Sequence, residues 1–142
     1  MARALDLARR AEEQGEVPVG AVIVLHGRVL GEGHNRTVTD ADPTAHAEVV
    51  AIRAAAVEMG DWRLLDTTLY VSLEPCAMCA GAIVLARIER VVFATPDPKA
   101  GMGGSLDNLL QDERLNHRCD VHSGVRASES SDMLKAFFRA RR

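Results

Sequence analysis

His46 and Glu48 in "HAE", with Cys76 and Cys79 in "PCAMC", are the groups in this chain best suited to chemistry. Two cysteines three apart at a helix start turn their sulfurs to one face, where they can share a metal ion. The unsatisfied N–H groups of that first turn favour negative charge and so help the thiols ionise. The pair alone fits a thioredoxin-type dithiol as well as it fits zinc. His46 moves the balance toward metal, because a dithiol exchanger has no use for a third ligand. One histidine and two cysteines make three ligands. A structural zinc site normally closes with four, whereas three leave a position for water. Two thiolates also cancel the charge of the ion, so such a site needs a proton acceptor beside the water, and Glu48 is the candidate.

His46 and Glu48 are two residues apart, and deep in a helix i and i+2 face away from each other. Both can address one site only at the helix's leading end. The plainer readings are a core histidine and a first-turn acid complementing the helix dipole. Both weaken because the cysteine pair opens another strand-to-helix junction, and neighbouring strand ends in an α/β sheet gather such junctions at one rim. Cys119 opens a late strand with no second ligand near it and reads as a buried core cysteine.

The elements that must hold these groups follow from periodicity. Residues 2–14 put Leu5, Ala8 and Ala11 on one helical stripe, with Arg9, Arg10 and Glu13 outside it and Gly15 as the stop. "AVIVL" (21–25) is apolar on both faces, as an internal strand is, and His26-Gly27 is a hairpin turn into "RVLGEGH". In "TAHAEVVAIRAAAVEMG" we expect a helix capped by Thr44, with Ala45, Val49, Ile52, Ala56 and Met59 as its apolar stripe and Gly60 at its end. "TTLYVSL" and "RVVFAT" read as strands, and "PCAMCAGAIVLARI" as a helix with Pro75 in its first turn. "DPKAGMGGS" reads as a flexible loop. A short helix near 107–112, a weaker strand "CDVHS" and a helix from about Ser128 complete the chain. Strands alternating with helices after a hairpin predict an α/β fold: a three-layer α/β/α sandwich on a central five-stranded mixed sheet.

With 142 residues and no repeat or linker, residues 1–142 are expected to form one domain. No apolar run approaches the ~20 residues of a membrane span, and the acid-containing N-terminus resembles no export signal. A cytoplasmic location, with reduced cysteines and no membrane partner, is expected. The net charge of −3 argues against a surface coated in positive potential but leaves room for a local basic patch. Of 17 basic residues 15 are arginine, the better fork for phosphate, although codon bias explains that equally well.

H-x-E followed by P-C-x-x-C is the signature of the zinc nucleobase deaminases. Around it, "EVPVGAVIV", "GHNR", "DPTAHAE", "LYVSLEPCAMCAGA" and "RVVFATPDPKAG" closely resemble the bacterial tRNA adenosine deaminases, nearly to the final "FFRARR". The resemblance implies a cytidine-deaminase-like fold, a homodimer, one zinc ion per chain, and conversion of adenosine to inosine at the wobble position of a tRNA anticodon stem-loop. It implies that His46, Cys76 and Cys79 hold the zinc and that Glu48 carries protons from the water to the ring and the departing amine. Asn35 matches the residue set against the adenine, and Asp97 the acid at the sugar beside the flipped base. Val17 and Pro18 match residues lining the base pocket. Family chains begin several residues upstream of the first helix, whereas this one begins at its first turn.

RNA contacts are expected from Arg36, Lys99 and the C-terminal helix. There Leu134, Phe137 and Phe138 share one stripe while Lys135, Arg139 and Arg142 form a basic stripe beside it. Two rival functions share some of these features. A deaminase of a free nucleobase or nucleoside such as cytidine or guanine has the same zinc residues. A non-catalytic, zinc-stabilised RNA-binding module lacks a use for Glu48 and for three ligands instead of four.

Overall fold

Leu25 pairs with Arg28 across the His26-Gly27 turn, so the first two strands, β1 (Gly20–Leu25) and β2 (Arg28–His34), form an antiparallel hairpin. The computed structural model describes residues 1–142. A helix, α1 (Ala2–Glu13), precedes the hairpin; α2 (Ala47–Met59), β3 (Thr67–Leu73), α3 (Ala77–Leu85) and β4 (Arg90–Thr95) follow it. A 3-10 turn (Leu109–Gln111), β5 (Asp120–Ser123) and α4 (Ala127–Arg139) close the chain. The sheet order is β2-β1-β3-β4-β5. β1 is antiparallel to both of its neighbours, while β3, β4 and β5 run parallel. The sheet is therefore five-stranded and mixed, as expected.

Alternation along the strands sorts the layers. Ala21, Ile23, Leu69, Val71, Val91 and Phe93 join the core cluster that holds Ala47, Ala51 and Ala55 of α2 and Ala80 and Ile83 of α3. Val22 turns the other way, to Ala4 and Leu7 of α1. α4 packs on β3 and β4, where the Ser130 hydroxyl donates to the Ser72 carbonyl at 2.5 Å.

Two local expectations are corrected. Thr44 does not cap α2: its hydroxyl donates to Asp42 Oδ1 at 2.7 Å, and the helix begins at Ala47 with His46 as the N-cap residue. The face of α2 pressed to the sheet is Ala47, Ala51 and Ala55, not the stripe led by Ala45 and Val49. Ile52, Ala56 and Met59 are only partly buried at its flank. Contact is so close that a Cβ on Gly31 of β2 would stand 2.5 Å from the Ala55 nitrogen, so only the smallest side chains fit between helix and strand. Pro75 also lies before α3 and not within it. Cys76 is still extended (φ −77°, ψ 179°) and serves as the N-cap.

Candidate active site

β3 and β4 end side by side, with Leu73 opposite Thr95, and both α2 and α3 begin at this rim. Each helix opens on an extended N-cap residue, His46 (φ −73°, ψ 153°) and Cys76. Cys79 is the third residue of α3, and N-cap and third-position side chains meet across a helix start. The ligand atoms of His46, Cys76 and Cys79 accordingly lie within 4.8 Å of one another. His46 Nδ1 is 3.6 Å from Cys76 Sγ and 3.5 Å from Cys79 Sγ. A tetrahedral zinc with bonds of about 2.3 Å to sulfur and about 2.0 Å to nitrogen holds those atoms about 3.5 Å apart. The donor set fits that ion. Cys119 stands away from it, buried in the core cluster.

The titration of this cluster follows from its crowding. A hydrogen bond from Cys79 pulls Cys76 down to about 4, against burial and with help from His46. The same shared bond pushes Cys79 upward, and burial pushes it further. His46 is raised, first by its bond to Cys76, with burial opposing. Glu48 is 4% exposed. Burial drives its carboxyl up to about 7; a local backbone hydrogen bond opposes that, and the Cys76 charge adds to it. A carboxyl poised near neutrality can both take and give a proton at physiological pH.

These groups sit in a cavity of about 740 Å³. Its wall brings together most of the residues anticipated from sequence: Val17, Asn35, His46, Glu48, Cys76, Asp97, Lys99, Phe138, Arg139 and Arg142. Cys79 is buried behind them. Three expected contacts lie elsewhere. Pro18 is wholly buried, because the chain alternates there and turns Val17 and Val19 to the cavity instead. Phe137 is 4% exposed and carries the Arg141 guanidinium 3.5 Å from its ring centre, whereas its neighbour Phe138 is 50% exposed. Arg36 does not line the cavity; both its Nε and Nη2 donate to the Asp40 carboxylate, at 2.9 and 2.8 Å.

Thr37 and Glu74 are polar cavity residues that escaped the sequence reading. Thr37 follows the "GHNR" run and carried no signal. Glu74 stands between a strand end and the Pro-Cys pair, and its acid side chain was the only clue. The expected flexible loop at 97–105 is a correction that follows from Glu74, since its carboxylate accepts the Asp97, Gly103 and Ser105 N–H groups at 3.0, 2.9 and 3.1 Å.

The arrangement is one found in known proteins. Residues 1–95 match the cytidine and deoxycytidylate deaminase zinc-binding region. The chain is 52% identical over 139 residues to the tRNA-specific adenosine deaminase of Bacillus subtilis (strain 168), spanning 98% of this chain and 86% of that one. It is 50% identical over 143 residues to the tRNA-specific adenosine deaminase of Haemophilus influenzae, spanning 100% of this chain and 83% of that one. A solved structure from work on A-to-I editing by tRNA:A34 deaminases at the wobble position of transfer RNA superposes with a TM-score of 0.89. The two are 47% identical, over 92% of this chain and 95% of the other. With relatives this close over almost its whole length, the chain belongs to the zinc-binding cytidine and deoxycytidylate deaminase family, on its tRNA-specific adenosine deaminase branch.

Proposed function

We propose that this chain hydrolyses adenosine to inosine at the wobble position of a tRNA anticodon. The observation that carries the reading is the buried Glu48 carboxyl beside a three-donor His/Cys/Cys set, in a cavity rimmed by cations. His46, Cys76 and Cys79 would hold one zinc ion, three donors where a structural site normally closes with four. Bound there, zinc would supply a water acidic enough at neutral pH to react at C6 of the base. Glu48 would take one proton of that water and pass it to the ring nitrogen beside C6 as the water oxygen bonds to C6. It would then take the second proton from that oxygen and deliver it to the amine, so the C6–N bond breaks, ammonia leaves and inosine remains.

The other cavity residues bind and orient. Asn35 offers an amide N–H to the base, Asp97 accepts a ribose hydroxyl, and Val17 packs on the ring. Lys99, Lys135, Arg139 and Arg142 meet phosphates, and Phe138 is an exposed aromatic on which a base can stack. Anticodon bases are already largely unpaired, so drawing one into the cavity costs little. One 142-residue domain does this work as a homodimer in the cytoplasm. Support for self-association comes from exposed Val57, Trp62, Leu65 and Leu85, in or just after α2 and α3. Three unpaired cysteines suit a reducing compartment, and no helix is long and apolar enough to cross a membrane.

Inosine mapped by position in total tRNA treated with the protein tests the reading. Inosine confined to the first anticodon position is the expected result. Faster deamination of free adenosine, guanine or cytidine than of an anticodon stem-loop rejects it.

A further inference from the structure

Glu74 is 2% exposed, yet no cation touches it. Its partners are four neutral donors on one segment: the N–H groups of Asp97, Gly103 and Ser105, at 3.0, 2.9 and 3.1 Å, and the Ser105 hydroxyl. The main chain reinforces the contact, since Glu74 N–H donates to the Thr95 carbonyl at 3.0 Å and Met102 N–H to the Pro75 carbonyl at 2.8 Å. Within the segment, Asp97 Oδ1 accepts the N–H groups of Lys99 and Ala100 at 3.0 and 3.2 Å. Asp97, Pro98, Lys99 and Ala100 form one wall of the cavity. Gly101 lies against the carboxylate so closely that an added Cβ would stand 2.3 Å from Glu74 Oε2. A run of glycines and a proline that would otherwise sample many conformations is thus wrapped around one buried anion.

We propose that Glu74 is a positioning residue for RNA: its carboxylate clamps segment 97–105 as a rigid cavity wall, tied to the strand end that leads into Cys76. The inference rests on the tRNA reading above and adds to it a residue that need not touch substrate. The chemistry calls for a carboxylate and not an amide. Four donors converge on two oxygens, and a Gln would turn an NH2 group toward donors that it cannot accept from. An ordered wall presents Asp97 and Lys99 to the RNA without an ordering cost at binding, so the clamp should act on substrate affinity more than on the chemical step.

The test is Glu74→Gln in the zinc-loaded protein. It is assayed for kcat and KM on an anticodon stem-loop, for zinc content, and for amide exchange at Asp97, Gly103 and Ser105. We expect zinc content unchanged, those amides exchanging faster, KM raised about tenfold, and kcat within about threefold of the parent, as losing charge-assisted bonds outside the reacting centre predicts. Gly101→Ala, which displaces the carboxylate without altering charge, should give the same split. Ser105→Ala, which removes one donor and leaves the acid in place, should give a weaker form of it and serves if Glu74→Gln does not fold. Unchanged exchange overturns the clamp. Faster exchange with unchanged KM overturns its role in positioning, as does a kcat that falls in step with lost zinc. Parent protein inactive on the stem-loop would fail the tRNA reading instead, and the exchange result would then judge the clamp by itself.

Discussion

Asn35 Oδ1 accepts the backbone N–H of Ala47 at 2.9 Å, joining the end of β2 to the first turn of α2. A backbone N–H can be met only by oxygen, so the amide orientation is set and Nδ2, without a partner in the chain, is left to the cavity that Asn35 lines. Asn35→Asp keeps the acceptor and adds a charge that suits a helix N-terminus, so the melting temperature should hold or rise. The donor is lost, however, and kcat/KM on a stem-loop should fall about ten- to a hundredfold, as for an unmet polar group in a binding site. A lowered melting temperature with unchanged kcat/KM would confine Asn35 to capping.

Glu48→Gln should retain zinc and RNA binding while slowing single-turnover deamination by about 10²–10⁴, the usual span of a general acid–base group. One side chain serving several transfers belongs at the upper end. The amide keeps the shape of the buried site but holds no mobile proton. A single-turnover rate within a few-fold of the parent rejects the role.

Zinc uptake should release protons. Around pH 7 Cys76, at about 4, is already a thiolate, while Cys79 is shifted up and carries its proton. His46, shifted up by its bond to Cys76, holds a proton more firmly than a free imidazole. Metal needs two thiolates and a neutral imidazole. Indicator dye should report about one to two protons released per zinc, with affinity falling as pH falls. Cys79→Ala should lose zinc together with that release; full zinc occupancy in the variant would remove Cys79 from the ligand set.

Strand limits were legible where chemistry is local: β2, β3 and β4 begin and end at the residues expected from their apolar and β-branched runs. The metal donors were legible because a helix start constrains Cys76 and Cys79 to one face whatever the rest of the chain does. What failed depended on distant partners. Thr44 looked like a cap, but Asn35, twelve residues before Ala47, was the group that met its N–H. The 97–105 segment looked unstructured because its organising group, Glu74, lies more than twenty residues before it. Phe137 and Phe138 were assigned together by helical period, and only the position of α4 over the sheet separates the buried one from the exposed one.

Glu16 should make stability depend on pH. It is 1% exposed and accepts bonds from the Thr39 N–H and hydroxyl, both at 2.6 Å, the Val38 N–H at 3.1 Å and the Thr37 hydroxyl at 3.3 Å. Burial pushes its carboxyl up, but these bonds, led by Thr39, outweigh it and hold the group below its ordinary value of 4.5. A group depressed on folding contributes fully above its unfolded pKa and loses that contribution as pH falls through the folded one. Glu16→Gln should therefore cost about 1–3 kcal/mol near pH 7 and progressively less below about pH 4. Urea melts of parent and variant at the two pH values should show the gap narrowing; a constant gap excludes the carboxylate as its source.

The basic edge of α4 should carry a measurable share of RNA binding. Arg139 and Arg142 line the cavity, and neither forms an ion pair within the chain, so their charges are free for phosphate. Arg141 differs, because its guanidinium covers Phe137 at 3.5 Å and its loss would disturb packing. The informative variant is therefore Arg139→Ala with Arg142→Ala, leaving Arg141 in place. Cations at a helix C-terminus also favour its dipole, but that effect is worth only about 0.3–1 kcal/mol and changes stability, not the salt dependence of binding. Phosphate contact is distinguished by counterion release, about 0.7–0.9 of a unit in log–log salt slope for each contact. The double variant should bind an anticodon stem-loop more weakly, with the slope shallower by about 1.4–1.8 if each arginine meets one phosphate. Zinc content and melting temperature should stay near the parent's. A melting temperature that drops while the slope stays the same would make both arginines structural and leave RNA binding to Lys99 and Lys135.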